Sequence, residues 1–245
     1  MKNQHSESRK PLDANHLKIL AMFCMLLDHI WATTRFSPPW MHYVGRLAFP
    51  IFAFQLTEGF FHTRDRKKYK KRLLIFALIS EIPFNLMVGG YWLYPFQQNV
   101  LWTFLLGLLA MEFLEKAKAC RTPAGWIRGV GGGLLCVLAG MVLAVDYGGI
   151  GVATVLVFYL FPGRPLFQFA GLFVLLQVIF QGQYFAVPVF GTVLEWNVEA
   201  IGILAMVPIC LYNGKRGSTH PFFRWAGYVF YPAHMTVLCL LSLLW

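Results

Sequence analysis

The sequence predicts an all-α, polytopic integral membrane protein with about nine transmembrane helices, its N-terminus inside and its C-terminus outside. Three observations carry this. The 245 residues are 58% hydrophobic and only 13% charged, about half the charged share of a soluble domain, and mean hydropathy is +0.57. Apolar runs of spanning length recur along the whole chain. Lys and Arg gather between those runs, as the positive-inside rule requires of cytosolic loops.

Residues 1–16, "MKNQHSESRKPLDANH", are polar and end without a small-residue cleavage site. They read as a cytosolic tail and not a secretory signal. Residues 17–245 read as one transmembrane domain. At roughly 20 residues per crossing, spans are expected at 17–35, 43–62, 73–92, 99–115, 127–145, 148–162, 166–182, 200–212 and 225–244. The sixth and eighth are short, the mark of a tilted, broken or re-entrant segment. "FSPPW" is an outer loop stiffened by prolines, and "NGKRGSTHPFF" is an inner loop in which His220 reads as solvated. "GVGGG" (Gly129–Gly133) in the fifth span suits close helix contact; with no Gly-Lys-Ser/Thr after it, it is not a phosphate loop.

Orientation follows from "RDRKKYKKR" (Arg64–Arg72), which carries seven basic residues between the second and third spans. Placing it in the cytosol puts 19 of the 21 Lys and Arg inside, with Arg35 and Arg46 at the outer ends of the first two spans. The formal charge of +10 therefore reads as membrane topology and affinity for anionic lipid, not nucleic-acid binding. The five cysteines, Cys24, Cys120, Cys136, Cys210 and Cys239, form no CxxC pair, so neither a metal site nor a disulfide framework is expected.

The chemistry lies in the ionisable residues at membrane depth, which cost about 2.5–3.5 kcal/mol each on insertion scales and usually face a cavity or a bundle interior. They are Asp28 and His29 in the first span, Glu58 in the second, Glu81 with Asn85 in the third, and His234 in the ninth. Arg46, Asn99 and Asp146 sit near the outer boundary. Lys18 and His29 are eleven residues apart, so they share one helix face about 16 Å apart. Glu58 and His62, and Glu81 and Asn85, stand at i, i+4. Each has a purely structural alternative. Glu58 and Glu81 can be neutral acids bonding between helices, His234 a packed histidine bonded to a backbone carbonyl, and Lys18 a solvated flanking lysine. Trp and Tyr at span ends read as interfacial anchors. The concentration of ionisable groups in the first three spans favours a site. A histidine beside carboxylates in a desolvated cavity suits general-base work, and proton relay in a transporter uses the same residue types.

"LKILAMFCMLLDHI", "GRLAFPIFAFQLTEGFFHTRDRKKY", "LISEIPFNL", "NVLWTFLLG", "DYGGIGV", "YNGKRG" and "FYPAH" resemble the TraX family in order and spacing, from about residue 17 to 237. That family takes its name from the membrane protein that N-acetylates the amino terminus of F-type pilin. The chain is also distantly similar to the type-three membrane acyltransferases, in which a basic residue, ten residues and a catalytic histidine open the first span, as Lys18-x10-His29 does. "EGF" (Glu58–Phe60) stands where that family has "SGF", so no role transfers to Glu58, and "YPAH" resembles its late histidine motif. The resemblance implies acetyl transfer from acetyl-coenzyme A, without a metal, to an acceptor amine such as a pilin-type N-terminus, or to a glycan or lipid hydroxyl. It implies His29 as general base, oriented by Asp28 or Glu81. Lys18 and Arg72 would hold the cofactor, and Arg46 an acceptor carboxylate or the oxyanion. Glu58, Asn85, Asn99 and His234 would complete the network. The rival readings are a proton-coupled transporter using the same residues and a structural pilus-assembly scaffold.

Overall fold

The computed structural model describes residues 10–34, 37–120, 122–189 and 191–242; the expectations for Arg35, Arg121 and most of the N-terminal tail lie outside these. Each predicted apolar run is occupied by helix. α1 (Ala14–Thr33) begins three residues before the expected span because Asp13 caps it, accepting from the Asn15 and His16 backbone N–H groups at 2.9 Å. The second span is broken into α2 (Trp40–Gly45) and α3 (Ala48–His62). The third becomes α4 (Arg66–Gly89), whose first two turns are the basic loop itself. Asp65 caps it through the Lys68 N–H, and Lys and Arg are good helix formers. α5 (Val100–Cys120), α6 (Pro123–Val142) and α7 (Gly148–Leu160) follow. α8 (Pro165–Phe173) runs on as a π-helical turn over Val174–Ile179. The short eighth run is a 3₁₀ helix, Val198–Ala205, leading into α9 (Met206–Cys210), and α10 (Pro221–Ser242) closes the bundle.

The all-α expectation is corrected in one place. Tyr184–Val189 (β1) and Thr192–Asn197 (β2) pair antiparallel, with Tyr184 opposite Asn197 and Val189 opposite Thr192. The turn uses Gly191 at φ 83°. Alternating apolar and β-branched residues around a turn glycine are a hairpin signal. The hairpin is tied down by Gln177, which donates to the Glu195 carbonyl at 3.1 Å and accepts from the Asn197 N–H at 3.0 Å.

The fully buried positions run through Leu17, Ala21, Ile51, Leu108, Met111, Val155 and Met235. The outer faces are apolar as well: Leu78, Ile79 and Ile82 on α4, and Leu134, Leu135 and Leu138 on α6, are each more than half exposed. α4 and α6 are the two helices among the described residues long and apolar enough to cross a membrane. The others are shorter or, like α1 and α5, carry ionisable residues. An apolar exterior around a core holding Asn99, Asn197, Gln168 and His234 is the pattern of a membrane protein.

Two glycines set close contacts. At Gly129 on α6 a Cβ would collide with the Ala117 Cβ and the Phe113 carbonyl of α5, so the glycine run does seat α6 on α5. At Gly45 a Cβ would run into the Asp28 side chain, so α2 lies flush against the last turns of α1.

Candidate active site between the first and last helices

α1 and α10 run parallel and are pinned at two levels. At the first level Lys18 Nζ donates to the Phe223 carbonyl at 2.8 Å. Eleven residues further along both helices, His29 Nδ1 lies 2.6 Å from His234 Nε2. The two imidazoles are nearly coplanar in orientation, with centroids 4.8 Å apart.

The hydrogen bonds fix the tautomers. His234 Nδ1 lies 2.6 Å from the Phe230 carbonyl. A carbonyl only accepts, so Nδ1 carries the hydrogen, and in the neutral ring Nε2 is the acceptor. His29 must then donate from Nδ1, which leaves its Nε2 with a free lone pair. Among the described residues that Nε2 makes no hydrogen bond. The chain Phe230 C=O, His234, His29 therefore presents a basic nitrogen of fixed position, and the structural reading of His234 as a carbonyl-bonded histidine describes half of its role. Tyr231, 3% exposed, packs beside both rings, with centroids 6.3 Å from His29 and 5.9 Å from His234.

The carboxylates expected to orient His29 are engaged elsewhere. Asp28 Oδ1 is 2.8 Å from His42 Nδ1, and Oδ2 accepts from Arg46 Nη2. Arg46 sits in the break between α2 and α3 and gives Nη1 to Glu199 at 2.6 Å, while its Nε is buried without a partner among the described residues. With both Nη groups occupied, Arg46 ties α1 to the 3₁₀ helix rather than presenting a free guanidinium, and Asp146 lies near enough to act on it electrostatically. Glu81 Oε2 accepts from Asn99 Nδ2 at 2.5 Å and from Trp102 Nε1 at 2.9 Å. Asn85 donates to the Trp92 carbonyl at 3.3 Å, not to Glu81. Glu58 lies within electrostatic reach of the Tyr212 phenol, and His62 meets the Glu58 backbone carbonyl at 2.8 Å rather than its carboxylate.

A cavity of about 780 Å³ runs alongside α1 toward this pair. Its mouth carries Lys18, Arg64, Lys68, Arg72 and Arg216, and its middle Gln55, Glu58 and Tyr69. Its deep end is Met25, Val100, Leu101, Phe104 and Tyr231. Met25 lies one turn before His29 on α1, so the lining stops one helical turn short of the imidazole, with Tyr231 between them. A basic mouth with an apolar floor is a fit for an elongated polyphosphate ligand that carries an apolar reactive tip.

Sequence reasoning missed three residues. His42 stands at i, i+4 to Arg46, a spacing visible in "HYVGR". Tyr231 stands at i, i+3 to His234 in "YPAH". Glu199 carried no local signal, because its partner is 153 residues away.

A profile of the TraX protein family matches residues 13–242. The chain belongs to the TraX family. It is 32% identical to the "probable fimbrial assembly protein FimC, serogroup H1" of Dichelobacter nodosus, over 92% of this chain and 94% of that protein. It is 27% identical to "protein TraX" of Escherichia coli, over 93% of this chain and 86% of that protein. No solved structure matches it.

Proposed function

We propose that this TraX-family chain is a multi-pass acetyltransferase of the cytoplasmic membrane, taking acetyl groups from acetyl-coenzyme A and passing them to an acceptor amine. A pilin-type N-terminus is the first choice, in keeping with relatives named TraX and fimbrial assembly protein. The observation that carries this reading is the free Nε2 of His29, held by His234 one helical turn beyond the Met25 end of a cavity whose other end is basic.

The donor's phosphates are met at the mouth by Lys18, Arg72 and their basic neighbours, with Lys18 about 16 Å below His29 along α1. The thioester then lies at the apolar end, away from competing water. His29 Nε2 takes a proton from the acceptor nitrogen as its lone pair attacks the carbonyl carbon. The new C–N bond forms, the C–S bond breaks, and the proton passes from His29 to the departing thiolate, giving the free thiol. His234 holds the proton on His29 Nδ1 throughout. Nine crossings with the N-terminus inside and the C-terminus outside accord with the 19-to-2 charge division and with α1 and α10 running parallel.

The test is transfer of isotope-labelled acetyl from acetyl-coenzyme A to a peptide amine by purified protein in liposomes. His29→Ala, confirmed as folded by thermal melting, should lose about 10²–10⁴-fold in turnover. Near-normal turnover removes His29 as the base. Substrate flux without acetyl consumption would establish the transporter reading instead, and an ester product would move the acceptor to a hydroxyl.

A further inference from the structure

Resting on the acyltransferase reading, we propose that the Tyr231 hydroxyl donates the hydrogen bond that binds the thioester carbonyl oxygen and stabilises the oxyanion formed during transfer. Arg46, the oxyanion donor expected from sequence, is tied to Asp28 and Glu199 and does not line the cavity. At the deep end of the cavity Tyr231 is surrounded by Met25, Val100, Leu101 and Phe104, none of which offers a polar side chain. Its ring lines the cavity and stands between that space and His29, 6.3 Å from the imidazole between centroids. A carbonyl at that end of the cavity meets the phenol first, with the base next to it.

The first turn of α5 prepares the phenol for this role. Asn99 caps that helix by accepting from the Leu101 N–H at 3.1 Å. The Val100 N–H, at the start of that helix, lies within electrostatic reach of the Tyr231 oxygen. A donor at a helix N-terminus acting on the phenol oxygen polarises the O–H bond and leaves its hydrogen free to donate. Glu81 lies within electrostatic reach of Tyr231, but its Oε2 is taken by Asn99 and Trp102 and its Oε1 has no hydrogen-bond partner among the described residues, so the phenol hydrogen is not held there. During attack the carbonyl π pair moves onto oxygen, against the Tyr231 O–H. The pair returns as the C–S bond breaks, and the phenol keeps its proton.

Acetyl-coenzyme A labelled with ¹³C at the thioester carbonyl, bound to the full chain in nanodiscs, gives a direct readout by infrared difference spectroscopy. The carbonyl stretch should fall below its value in water on binding to the wild type and recover in Tyr231→Phe. Turnover of Tyr231→Phe should drop about 10²–10³-fold, the usual loss of one oxyanion donor, with little change in the Michaelis constant. Replacing Tyr231 by a more acidic fluorotyrosine keeps shape and fold and should deepen the carbonyl shift, which a packing role would not do. A stretch that is the same in wild type and Tyr231→Phe, or unaltered by fluorotyrosine, overturns the assignment while leaving the acyltransferase reading intact. Failure of folded wild type to bind labelled acetyl-coenzyme A overturns both.

Discussion

Replacing His234 by alanine removes the acceptor for His29 Nδ1–H, 2.6 Å away, without touching the catalytic nitrogen. The imidazole then either keeps a partly buried N–H without a partner or moves its hydrogen to Nε2, where it can no longer act as a base. Leaving such a donor unpaired costs about 1–3 kcal/mol, which is about 5- to 150-fold in rate if all of it falls on the transition state. His234→Ala should therefore be slower than wild type but faster than His29→Ala. His234→Gln, whose side-chain carbonyl can accept, should recover part of the loss. Turnover with labelled acetyl-coenzyme A measures the rate, and thermal melting separates it from loss of fold, since the substitution also opens space beside Phe230. ¹⁵N spectra of histidine-labelled protein report the tautomer directly: Nδ1–H on His29 in the wild type, a mixture in His234→Ala. A folded His234→Ala at full turnover, or a wild-type His29 protonated on Nε2, would refute the relay.

Lys18→Ala should raise the apparent Michaelis constant for acetyl-coenzyme A with a smaller effect on turnover, and unchanged kinetics would take Lys18 out of the cofactor site. Arg46→Met leaves the partly buried Asp28 and Glu199 without their cation, so it should destabilise the fold by about 1–3 kcal/mol, less than a fully buried pair because both keep some contact with solvent; denaturant or thermal unfolding in detergent checks this, and adding Glu199→Gln should return part of the loss. Asp28→Asn should reduce stability more than turnover, because Asp28 bonds to His42 and Arg46 and not to His29; a turnover loss as large as that of His29→Ala would restore Asp28 to the reacting group. A reporter fused after Arg72 should be cytosolic and one fused after Trp245 external, and a cytosolic C-terminus would end the nine-span topology.

Sequence alone determined where helices form and which side chains share a helix face. Apolar runs have no other way to satisfy their backbone at membrane depth, and the spacing of Lys18 and His29 follows from the helical rise. The motif set from Leu17 to His234 likewise identified the family without reference to any contact. Partnerships across helices were not legible. Asp28 and His29 are adjacent, yet they point about 100° apart around α1, and nothing local says that one meets His42 and Arg46 while the other meets His234. That last contact joins residues 205 apart in the chain, and it exists only because α1 and α10 pack parallel in one register. The hairpin at Tyr184–Asn197 was readable from its alternation and its glycine, but it was hidden among apolar runs that all resembled spans. Tyr231 stood in the sequence only as a letter of "YPAH", with no role attached. Packing gave it one: it is buried at the end of the cavity, beside two imidazoles and the start of α5.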